Sequence, residues 1–124
     1  MGTNDEFKKK LINKAFVLAR NVISLVDKFP NKRSAWVVSD QLIRAATSIG
    51  ANIIEAQAAS SRRDFVNFLN YALKSGNETK FWLALSKDIA PILLQEINNL
   101  LKEVDELVRI LGSSISTLKG KNKL

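Results

Sequence analysis

Pro30 and Pro91 are the only prolines among 124 residues, and the long stretches around them carry apolar residues at three- and four-residue spacing. With so few breakers, the chain has little choice but long amphipathic helices. The first is expected from about Thr3 or Asn4 to Phe29, where Pro30 stops it. Thr3 and Glu6 have the spacing of a capping box, and Leu11, Ala15, Leu18, Ala19, Val22, Val26 and Phe29 make one apolar face. The loop Pro30-Asn31-Lys32-Arg33 leads to a second helix, capped by Ser34 and running to about Ala58. Its buried seam is Val38, Leu42, Ala45, Ala46, Ile49, Ile53 and Ala56. A third helix starts after Ser61, with Asp64 in its first turn, and ends near Lys87. Phe65, Phe68, Leu69, Ala72, Leu73, Gly76 and Leu83 form its core side. The fourth follows Pro91 and keeps a near-heptad apolar spacing from Ile97 to Leu118. Short connections make neighbours antiparallel, so the expected fold is an all-α, up-down-up-down four-helix bundle. It forms one domain over residues 1–118, with a basic polar tail at 119–124.

The chemistry available is narrow. There is no cysteine and no histidine, which removes the thiolate nucleophile, the disulfide, the zinc–thiolate site and the commonest general base and metal ligand. No catalytic residue, metal site or cofactor is expected, and the chain reads as a non-enzyme. No apolar run is long enough to cross a bilayer, so no membrane partner is expected and the location should be cytoplasmic.

What the chain has in excess is positive charge. Nineteen Lys and Arg oppose twelve Asp and Glu, a net +7 that suits a polyanionic partner. Lys10, Lys14 and Lys28 fall on a stripe opposite the first apolar face. Lys32 and Arg33 sit in the first loop, and Arg62 and Arg63 at the start of the third helix, where a positive helix end adds to a phosphate site. These seven are the candidate nucleic-acid contacts. Exposed aromatics interleaved with them are scarce, which argues against a stacking platform for single strands.

Two features exceed what one bundle needs. Phe81 and Leu85 project away from the core side of the third helix, with Trp82 between the two sets, as for a subunit interface. Arg44, Ser48, Asn52 and Glu55 make a polar stripe on the second helix, either a solvated face or a hydrogen-bond network. Glu78 on the third helix is the candidate partner for Arg44.

The segment from Ile43 through Arg44-Ala45-Ala46-Thr47-Ser48-Ile49-Gly50-Ala51-Asn52-Ile53-Ile54-Glu55 to Ala56 resembles the signature of a bacterial four-helix bundle family. That family includes the intervening-sequence proteins encoded within large-subunit rRNA genes, and the chain is similar to the accessory variability proteins of diversity-generating retroelements. Asp64-Phe65, Phe68-Leu69 and the run from Ala72 to Leu83 carry the likeness further, and it covers about Leu11 to Leu118. Ala56 stands where the family usually has Gly, and Gly50 where it often has Pro. The resemblance implies a homo-oligomer, a pentameric barrel of bundles, offering a basic surface to RNA or DNA or to a reverse transcriptase. Two functions follow as expectations. One is a non-catalytic, oligomeric nucleic-acid-binding accessory protein; the other is a protein-interaction scaffold with no nucleic-acid role.

Overall fold

The computed structural model describes the backbone of residues 2–122 and the side chains of residues 5–120. It contains four helices, α1 (Gly2–Val26), α2 (Arg33–Gln57), α3 (Arg62–Ile89) and α4 (Leu94–Asn122). Each packs on the next, and α1 closes the ring against α4. Lys14 meets Glu106 and Lys28 meets Glu96, so positions rise along α1 as they fall along α4. Gly76 against Val108 and Lys80 against Asp105 give the same antiparallel sense at α3–α4, and the short connection between Gln57 and Arg62 turns α3 back along α2. The molecule is the expected all-α four-helix bundle.

The helix ends differ from expectation in instructive ways. The α-helical pattern of α1 stops at Val26, and Lys28 and Phe29 then donate to Leu25 and Val26 in tight three-residue turns. Pro30 bars Phe29 from the α conformation, so the chain tightens before it turns. Ser34 is not the cap of α2. Lys32 is the extended residue at its entry, with its N–H on the Pro30 carbonyl, and the helix begins at Arg33 without a side-chain cap. Ser61 does cap α3, its Oγ accepting from the Asp64 N–H at 3.1 Å. Pro91 opens a 3-10 turn over Pro91–Leu93, where a missing N–H costs nothing, and α4 follows directly. The α4 backbone stays helical through Gly120 to Asn122, beyond the start of the basic tail read from the sequence. The capping box at Thr3, and Lys121 and Lys123 of the tail, lie outside the described side chains.

The core is aliphatic and tightly filled. Leu18, Leu25, Leu42, Ile49, Ile53, Leu83, Ile97, Leu107 and Leu111 are all fully buried. Truncating a leucine in such a setting costs about 2–5 kcal/mol, through lost transfer energy and the cavity left behind. Two polar side chains, Thr79 and Ser86, are fully buried on α3. Each hydroxyl donates to the carbonyl four residues earlier, at 2.7 Å, so neither is left unsatisfied. The buried line on α3 therefore runs Val66, Leu69, Ala72, Gly76, Thr79, Leu83, Ser86, while Phe65, Phe68 and Leu73 flank it half-buried.

At Gly76 the side chain of Val108 packs tightly against α3. A Cβ placed there would lie 2.7 Å from Val108 Cγ2, whose β-branched side chain has little freedom to turn away. Gly112, by contrast, has open space around it. The same substitution should therefore have opposite signs at the two positions. Gly112→Ala is expected to stabilise by about 1 kcal/mol through helix propensity. Gly76→Ala gains the same propensity but overpacks the seam, for a net loss on the order of 1 kcal/mol. Val108→Ala should cost less in the Gly76→Ala background than in the native chain. Denaturant midpoints of the four variants check this, and equal stabilisation by both alanines would contradict it.

Candidate nucleic-acid interface

The seven candidate cations do not form one patch. Lys10 on α1 and Arg62 and Arg63 at the start of α3 lie at the end of the bundle where α1 begins. Lys28, Lys32 and Arg33 lie at the opposite end of a bundle about 37 Å long, the length of a 25-residue helix. Lys14 sits between them and is committed elsewhere, its Nζ donating to Glu106 at 2.6 Å. Lys28 likewise donates to both carboxylate oxygens of Glu96, at 2.9 and 3.1 Å. The remaining five are exposed and have no ion-pair partner among the described residues.

The supposed basic stripe on α1 thus needs correcting. The buried face of α1 is Leu11, Ala15, Leu18, Val22, Leu25 and Val26, with Ala19 only half-buried. That rotation puts Lys14 at the α4 seam and turns Phe16, Arg20 and Ile23 outward instead. Phe16 is 59% exposed, with the Arg20 guanidinium 5.8 Å from its ring centre. Together with Ile54 of α2 these residues line a shallow apolar groove over the close Ala15–Gly50 contact. Sequence reasoning placed no site there.

The polar stripe on α2 is local rather than a network between helices. Arg44 pairs with Asp40 at 3.2 Å, one turn earlier on the same helix. Ser48 donates to the Arg44 carbonyl at 2.7 Å, and Asn52 to the Ser48 carbonyl at 2.8 Å. Glu55 is exposed. Glu78 does not meet Arg44; it accepts from Trp82 Nε1 at 3.2 Å. The reason is reach: each group finds a partner on its own helix, at the spacing where helical neighbours meet. Trp82 is half-buried against the core, while Phe81, 59% exposed, sets its ring edge-on to Trp82 at 5.0 Å between centres. Leu85 is exposed on the same outer face of α3.

Cations that the sequence reading left out gather along the α3–α4 seam. Lys80 on α3 donates to Asp105 on α4 at 3.1 Å, and Arg109 reaches the other carboxylate oxygen at 3.0 Å. Lys87 follows Lys80 by seven residues and Arg109 follows Lys102 by seven, a spacing that keeps each pair on one helix face. That repeat was the available signal. Among the described residues no cluster of three or more acidic side chains is arranged to hold a metal ion, and no helix is long and apolar enough to cross a membrane.

The hydrogen bond from Lys80, and then the charges of Arg109 and Lys80, hold the Asp105 carboxyl below the usual carboxylate range against an opposing effect of desolvation. A lowered folded-state pKa means the ionised form favours the folded chain. Its contribution is complete above the unfolded value near ~3.9 and disappears as pH falls through the folded one. On acidification below about pH 4 the native chain should lose more stability than Asp105→Asn. Urea midpoints at neutral and acid pH check this; parallel losses in the two chains would show that the carboxylate is not linked to folding.

A family model of the 23S rRNA-intervening sequence protein matches residues 8–113, nearly the whole bundle. The chain is also 37% identical to a protein of unknown function from the S23 ribosomal protein family of Bacteroides thetaiotaomicron VPI-5482, known from a crystal structure at 1.70 Å. That likeness covers 85% of this chain and 97% of the other, with a TM-score of 0.78. No curated protein matches the sequence.

Proposed function

The chain belongs to the 23S rRNA-intervening sequence protein family, and on that premise we propose that it is an oligomeric accessory protein that binds nucleic acid through phosphate contacts. The observation that carries this reading is the surplus of exposed cations. Lys10, Lys32, Arg33, Arg62 and Arg63 lack acidic partners among the described residues, on a chain of net +7. Such contacts release counterions and are therefore strongly salt-dependent.

Self-association is part of the proposal, as a homo-pentamer. Two separate apolar surfaces support it, the outer face of α3 with Phe81 and Leu85, and the α1–α2 groove with Phe16, Ile23 and Ile54. Two different patches on one subunit suit a heterologous contact, which closes into a ring when its rotation allows. Repeating a basic subunit around a ring multiplies weak phosphate contacts into useful affinity. Glu78 and Trp82 lie beside Phe81 on α3, and Arg44, Ser48, Asn52 and Glu55 of α2 would join the interface. A cytoplasmic nucleic-acid enzyme such as a reverse transcriptase is the kind of machine that it would assist. The same apolar surfaces favour the second reading, a scaffold for another protein.

Light scattering behind size exclusion separates these readings. The expected result is a pentamer-sized species that grows on adding RNA at low salt and returns to its own size at moderate salt. A stable oligomer indifferent to RNA selects the scaffold. A monomer at all concentrations overturns the self-association.

A further inference from the structure

We propose that the α3–α4 seam is a phosphate-backbone track that takes about one turn of a nucleic-acid duplex. This rests on the nucleic-acid reading above and assigns it to one side of the bundle.

The charges on α4 are sorted by side. Glu96 and Glu106 are paired to α1 through Lys28 and Lys14, and Glu103 lies on that same flank, beside Asn21 and Ser24 of α1. Lys80–Asp105 and Gly76–Val108 define the opposite flank, which faces α3. At about 100° per residue, Arg109 and Lys119 turn to the α3 side of α4, and Lys102 lies on its outer face between Asp105 and Glu106. From the same anchors, Arg62, Arg63, Lys80 and Lys87 turn to the α4 side of α3 or border it. Seven cations from two antiparallel helices therefore lie in or beside one seam, with Asp105 and Asp88 the acids among them. Lys87, Lys102, Lys119, Arg62 and Arg63 have no ion-pair partner among the described residues.

Length decides the kind of partner. Arg62 to Lys87 spans about 37 Å of α3, close to the 34–36 Å of one duplex turn. A line of cations this long and narrow matches a strand of phosphates better than a compact anion. Phe81 is the one large aromatic bordering this stretch, and its ring is set against Trp82, so no series of bases can stack along it. Contact is thus expected with the backbone of a paired helix, read by charge and shape.

Asp105 makes the proposal testable with a gain as well as a loss. It lies mid-track between Lys80 and Arg109, where its carboxylate would repel a phosphate. Fluorescence anisotropy with a labelled duplex of about 16 base pairs, as RNA and as DNA, supplies the readout. Lys87→Gln with Lys102→Gln should weaken binding about tenfold near 0.1 M salt and flatten the log–log salt slope by roughly 2. Lys32→Gln with Arg33→Gln, at the start of α2 and off the seam, should weaken it less than the Lys87/Lys102 change does. Asp105→Asn should bind more tightly, a result that partial unfolding does not mimic. The track is overturned if the native chain binds but the Lys32/Arg33 pair matters more than Lys87/Lys102, or if Asp105→Asn binds no better. It is equally overturned if phosphatidylserine vesicles bind the seam and duplex does not. Absence of binding to either duplex overturns the nucleic-acid reading itself. RNA against DNA affinity tells which phosphate backbone the track prefers.

Discussion

The close approach of α3 to α4 at Gly76 sets most of what this molecule presents to its surroundings. With hydrogen in place of a methyl, Val108 can sit 2.7 Å from where a Cβ would be, and Ile49 of α2 packs from the other side. That contact fixes both the rotation of α3 and its register on α4. The rotation brings Lys80 opposite Asp105 and buries Thr79 and Ser86 rather than the larger residues beside them. It also leaves Phe81 and Leu85 outside.

Rotation of that kind converts a mixed charge pattern into sorted surfaces. Along α4, Glu96 and Glu106 turn to α1 and meet lysines there, while Arg109 and Lys119 turn to α3. The ion pairs themselves are solvent-exposed and each worth about 0–1 kcal/mol, so they do little to hold the bundle together. Their larger effect is on what remains. Pairing matches each lysine to its own glutamate at the α1–α4 seam, whereas at the α3–α4 seam Lys80 and Arg109 share the single carboxylate of Asp105. The aliphatic core supplies the stability, and the surface is free to be uneven in charge.

The apolar surfaces follow the same logic. α1 and α2 approach closely at Ala15 and Gly50, and the larger residues flanking that contact, Phe16, Ile23 and Ile54, are pushed to the rim of a groove. On α3 the aromatic pair Phe81–Trp82 divides its duties, one ring half-buried against the core and the other outside it. A chain with two such surfaces on different sides has more apolar area than one bundle can use.

The number of helices, their order and their apolar seams were legible in the sequence, because two prolines and a 3.6-residue periodicity leave one arrangement that buries those faces. Ser61 was also legible as a cap, since its bond to Asp64 is local. The absence of histidine and cysteine fixed the exclusion of their chemistry. Tertiary structure alone decided which cations stay free. Lys14 and Lys28 looked available but meet Glu106 and Glu96, 92 and 68 residues away. Lys80 and Arg109 looked scattered, yet they meet on Asp105 because α3 and α4 run antiparallel in this register. Arg44 and Glu78 looked complementary but each found a nearer partner on its own helix. Periodicity specifies which face of a helix is buried. It does not specify what stands beside that face, which depends on packing between helices far apart in the chain.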